Sequence, residues 1–125
     1  MLTRVLFRKF TVSPEIRGKV ISAVNAFKAE RIREVSGDLA AKGVSEADKK
    51  FKEELLVKLR TEVNENSEWK DFGFDGLDEV ECLLTIEDAV GVKVPDEDFH
   101  AVHGVQAALR VVEKYALREK SARSD

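Results

Sequence analysis

The chain has 125 residues, enough for one domain with one modest core. Charged residues make up 36% and hydrophobic residues 43%, the balance of a globular chain rich in helix, and no apolar run approaches the ~20 residues of a membrane span. The single cysteine, Cys82, excludes an internal disulfide, and the net charge of −3 is unevenly spread.

Residues Met1 to Val12 carry Arg4, Arg8 and Lys9 and no acid, interleaved with Leu2, Val5, Leu6, Phe7 and Phe10. Basic, amphipathic and acid-free segments of this kind serve as mitochondrial addresses. The plainer reading is a basic arm that docks on a neighbour. Ser13-Pro14-Glu15 is a helix start: a capping hydroxyl, proline at the first helical position and an acid next. Ile16, Val20, Val24 and Phe27 then recur at helical spacing. The helix is expected to run towards Val35 and to break or bend at Ser36-Gly37-Asp38.

Gly43 is a stop signal, and Ser45-Glu46-Ala47-Asp48 starts a second helix. Phe51, Leu55, Leu59 and Val63 repeat every four residues with Leu56 beside them, so this helix spans about Ser45 to Thr61. Its stripe either packs on its own domain or meets a partner. Asn64-Glu65-Asn66-Ser67 reads as a loop.

The stretch from Asp71 to Phe99 is the most informative. Asp75 and Gly76 stand at a helix start, and Gly76 is expected to be its N-cap. Asp78, Glu79 and Glu81 occupy the first turns, where acids complement the helix dipole. Gly91 ends the helix, and Pro95 begins a short helical turn. From Leu77 to Val90 this central helix is apolar on more than one side: Leu77, Val80 and Leu84 share one, Cys82, Ile86 and Ala89 another, with Leu83 and Val90 between. A surface helix needs one apolar stripe, so two imply two burials. The alternative, burial all round, conflicts with the interspersed Asp78, Glu81, Glu87 and Asp88. From Glu68 to Asp98 there are eleven acids against Lys70 and Lys93, which makes nucleic acid an unsuitable partner for this face and a basic protein surface a natural one.

His100 and His103 lack a third ligand at metal spacing. Val105, Ala108, Leu109, Val112 and Ala116 give the last helix a core stripe, expected to continue to about Lys120 and to leave residues 121–125 as a fraying tail. A nucleophile paired with a base, a phosphate-cradling glycine loop and a metal cluster are all missing, so the sequence reads as a non-enzyme without a cofactor. Cys82, inside the central helix, reads as a core residue.

The run Asp71-Phe72-Gly73-Phe74-Asp75-Gly76-Leu77-Asp78-Glu79-Val80-Glu81, then Val94-Pro95-Asp96-Glu97-Asp98 and Val105-Gln106-Ala107-Ala108, resembles the heart of an acyl carrier protein. Val20 to Phe27 is similar to the first helix of the mitochondrial type. The resemblance implies an all-α bundle over residues 13–120, with an extra helical element inserted within about 29–66. It places the family's phosphopantetheine-bearing serine at Gly76, where no phosphodiester can form. It further implies a non-carrying structural subunit of a large mitochondrial assembly on the matrix side, respiratory complex I first, with the mitochondrial ribosome or ATP synthase as alternatives. The partner would be a helical protein with a basic surface, of LYR type, met by Leu77, Asp78, Val80, Glu81, Leu84, Glu87 and Asp88. A working carrier for fatty acid or lipoate synthesis is the rival reading and needs another attachment point, for which Ser67 and Thr85 are the nearby hydroxyls.

Overall fold

The computed structural model describes residues 13–123, with side chains to residue 119. The basic segment 1–12, with its targeting reading, and residues 124–125 lie outside that range. Among the described residues five α-helices follow in order: α1 (Pro14–Ala40), α2 (Glu46–Leu59), α3 (Gly76–Val90), the short α4 (Asp96–Phe99) and α5 (Val105–Arg123). A 3-10 turn, Trp69–Phe72, precedes α3. The described residues contain no strand. Their one β-bridge, Glu68 to Gly104, ties the chain before α3 to the start of α5. None of these helices is long and apolar enough to cross a membrane. The fold is the expected all-α bundle, with α2 as the extra helix between the first and the central one.

Helix α1 is the spine, packed against α2, α3 and α5. It runs antiparallel to α3, because Arg31 meets Asp78 at the start of α3 while Pro14 and Gly18 share a groove with Thr85 and Ala89 near its end. Val20 and Val24 from α1, Leu83 and Ile86 from α3, and Leu109 and Val112 from α5 are all at most 2% exposed. The helical spacing of these residues in the sequence is the cause of the bundle.

Helix α1 does not break at Gly37 as expected but continues to Ala40. An interior glycine costs only about 1 kcal/mol. Val35 is buried, which is worth ~1.5–3 kcal/mol, and the half-buried Leu39 adds to it, so tertiary packing outweighs the glycine. Helix α2 starts where expected, with Ser45 Oγ accepting from the Asp48 N–H at 3.1 Å. Its inward side is Leu56 and Leu59, with Leu55 half-buried, whereas Phe51 at the head of the stripe is 66% exposed. Lys28 fastens α2 to the spine. Its ammonium is buried, donates to the Thr61 carbonyl just beyond α2, and lies 4.5 Å over the Phe72 ring. Burial pushes its pKa below the ordinary lysine value.

The 3-10 turn was not legible in the sequence. The Glu68 N–H donates to Asp71 Oδ2 at 2.9 Å, and this closes the turn. It delivers Trp69 and Phe72 to the core, beside Phe74, whose ring stands edge-on to Phe27 at 5.2 Å. The Trp69 indole N–H donates to the Val102 carbonyl at 3.2 Å. Gly104 then passes so close to the Ser67 carbonyl that any Cβ there would sit 2.8 Å from that oxygen. At the other end α5 stays helical to Arg123, past the expected end at Lys120, so positions 121–123 are helix rather than frayed tail.

Candidate functional site

The start of α3 is built by two aspartates. Asp75 Oδ1 accepts from the Asp78 N–H at 2.8 Å, and Asp78 Oδ2 accepts from the Asp75 N–H at 3.1 Å. This reciprocal pair satisfies two of the amides that a helix start leaves free. Asp75 is therefore the N-cap, and Gly76 is the first helical residue rather than the cap itself. Gly76 has no hydroxyl, and a Cβ added there would meet nothing within 4 Å.

Asp78 also faces inward. It is 6% exposed, and its Oδ1 lies 3.1 Å from Arg31 Nε, an ion pair without the alignment of a hydrogen bond. Burial opposes the Arg31 charge, but the Glu34 hydrogen bond and the charges of Asp78, Glu34 and Asp75 outweigh it and raise the guanidinium pKa. Glu87 is buried too, and its Oε2 accepts from the Val94 N–H at 2.5 Å, which binds the loop after α3 back onto the helix. Asp78 and Glu87 thus leave the acid rim expected of them, since both carboxylates are engaged inside the protein. Glu81 and Asp88 remain exposed on α3.

The apolar side chains of α3 divide in two. Cys82, Leu83 and Ile86 are buried, while Leu77 is 66%, Val80 44% and Leu84 47% exposed. Ala89, placed by its spacing with Cys82 and Ile86, is exposed as well, at the groove shared with Pro14 and Gly18 of α1. Burial pushes the Cys82 thiol up to about 12, with the Asp78 charge adding, so it is an inert core group.

Beside the exposed ridge lies a cleft of about 530 Å³ between α3, α4 and the loop that joins α4 to α5. Leu83, Phe99 and Val102 line its depth, Val80 and Leu84 form the wall shared with the ridge, and Gly76 stands at its edge. Glu79 and Asp96 bring carboxylates to it. His103 Nδ1 lies 3.6 Å from Glu79 Oε1. No periodicity in the sequence marks this cleft, because its lining is divided among α3, α4 and the loop after α4. Among the described residues no three His, Cys, Asp or Glu side chains are grouped to hold a metal. The two nearby hydroxyls lie away from the cleft and are engaged. Ser67 is buried, with its Oγ accepting from the Asn64 N–H at 2.9 Å, and Thr85 donates to the Glu81 carbonyl at 2.9 Å.

No protein-family model matches the chain, and no solved structure matches it. Among curated proteins it is similar to acyl carrier protein 3, chloroplastic, of Cuphea lanceolata. The two are 26% identical over 110 residues, which is 88% of this chain and 77% of that protein. In sequence the chain is acyl-carrier-like, and its fold is an all-α bundle.

Proposed function

We propose that this chain is a non-carrying, acyl-carrier-like structural subunit of a large mitochondrial assembly, with respiratory complex I the first candidate. It works by docking rather than by catalysis, and its partner is a helical protein of LYR type with a basic surface. One observation carries the reading: α3 begins with a glycine that offers no hydroxyl, yet keeps Leu77, Val80 and Leu84 exposed. An apolar ridge without an attachment point suits a docking face better than a carrier. The basic, acid-free segment before Ser13 supports the mitochondrial placement.

Full burial of such side chains is worth ~1.5–3 kcal/mol each. These three are about half exposed, so covering them contributes roughly 2–5 kcal/mol in total. Glu81 and Asp88 add orientation and association rate more than affinity. The test is affinity capture of the tagged chain from mitochondria, with intact mass and a thermal melt on the same material. The wild type co-purifies with subunits of one respiratory or ribosomal assembly and carries no pantetheine arm. Leu84→Asp loses those subunits and keeps its melting temperature. A mass that includes the arm would return the chain to the working carriers for fatty acid or lipoate synthesis.

A further inference from the structure

We infer that the partner helix anchors itself by inserting one large apolar side chain, aromatic or leucine, into the cleft at the start of α3. Lysine or arginine one turn before or after that anchor meets the carboxylates at the rim. This rests on the docking reading above and specifies what the face selects.

The ridge and the cleft are one surface. Val80 and Leu84 belong to both, so a helix lying along the exposed side of α3 passes over the cleft mouth. The depth of the cleft is apolar and already fixed: Leu83 is 2% and Val102 5% exposed. An apolar cavity on the order of 150 Å³ holds a benzene ring. The cleft, at about 530 Å³, has room for an aromatic side chain and part of the helix that carries it. With no Cβ at Gly76, that edge is not narrowed.

Charge then selects among occupants. Glu79 and Asp96 bring carboxylates to the rim beside His100 and His103; Glu79 faces His103 at 3.6 Å, and among the described residues Asp96 makes no ion pair, which leaves its carboxylate open to a partner's cation. An apolar anchor with a cation placed over the Asp96 carboxylate is matched by this rim. A large side chain seated in a pocket and ringed by charge is the usual form of an interface hot spot.

The probes are two synthetic amphipathic Leu/Lys peptides of about 15 residues, long enough to hold a helix. They are identical except for Phe or Ala at the central apolar position. Each is titrated into the isotope-labelled full chain and followed by amide NMR. The Phe peptide is expected to bind at least about tenfold more tightly than the Ala peptide and to shift Leu83, Phe99 and Val102. Gly76→Phe, which adds a ring at the edge of the cleft, is expected to remove that advantage, and Gly76→Ala to keep it. Equal binding of both peptides along Leu77 and Leu84 overturns the anchor and leaves the docking ridge standing. Failure of both peptides to bind, or shifts confined to the groove of Gly18 and Ala89, overturns the anchor and the ridge together.

Discussion

Replacing Asp78 by alanine separates structural acids from docking acids on the same helix. The substitution removes the acceptor for the Asp75 N–H and leaves Arg31 without its buried counter-charge. Losing one side of a helix cap costs ~0.5–2 kcal/mol. Breaking a fully buried pair costs 3–5 kcal/mol, but the Arg31 side chain is 26% exposed and keeps Glu34 at 3.0 Å, so about 1 kcal/mol is the fitting share. Together the loss is roughly 2–3 kcal/mol, or about 8–15 °C in melting temperature for a domain of this size. Glu81→Ala, on the exposed side of α3, should change stability by less than about 0.5 kcal/mol. The assay is urea unfolding followed by Trp69 fluorescence and helix signal, for each variant and for Arg31→Ala with and without Asp78→Ala. The double-mutant cycle isolates the ion pair. Equal stabilities for Asp78→Ala and Glu81→Ala would refute the division of roles and return Asp78 to the docking rim.

Three further outcomes follow from the geometry. Gly104→Ala forces a Cβ to 2.8 Å from the Ser67 carbonyl and 3.2 Å from the Glu68 Cα, both backbone, so urea unfolding should show a loss of about 1–3 kcal/mol; a loss below about 0.5 kcal/mol would mean the bridge moves freely aside. The Lys28 pKa is lower folded than unfolded, so between the two values the unfolded chain binds more protons and stability rises with pH. That rise should appear as pH climbs towards the ordinary lysine value of 10.5 and vanish in Lys28→Met, and parallel stability–pH profiles for the two proteins would contradict it. Cys82, buried and with its thiol pushed up to about 12, should resist iodoacetamide in the native state and react in urea; native labelling within about tenfold of the urea rate would show that α3 opens locally.

The sequence made the bundle legible wherever one apolar stripe met one burial. In the stripe of Val105, Ala108, Leu109, Val112 and Ala116 the first four are buried and Ala116 is half-buried against the core, and Ser45 and Gly91 cap the helices their positions suggested. It was less informative where local and tertiary preferences diverge. Gly37 looked like a break because local propensity favours one, and only the neighbouring burial of Val35 and Leu39 overrides it. Glu87 looked like a rim acid because spacing cannot tell a solvated carboxylate from one that caps a loop amide seven residues on. The cleft was hidden for a related reason: its lining comes from α3, α4 and the loop after α4, and no single periodicity reports a surface shared by two helices and a loop.

The arrangement of acids on α3 bears on how its exposed face can work. Asp78 holds the first turn to α1 through Arg31, and Glu87 holds the last turn to the loop that leads into α4. Both ends of the helix are therefore fixed from inside, while the ridge between them stays open. Fixing the end also fixes the loop, and the loop positions α4 and Phe99 across the cleft. The spacing between ridge and cleft is thus set before any partner arrives. A surface held in advance loses less conformational freedom on binding, so modest apolar burial yields more net affinity. Loosening either carboxylate should therefore weaken docking even though neither touches the partner, and Glu87→Gln, which keeps an acceptor for the Val94 amide, should weaken it less than Glu87→Ala. Equal docking by wild type and Glu87→Ala would show that the cleft is shaped by the partner instead.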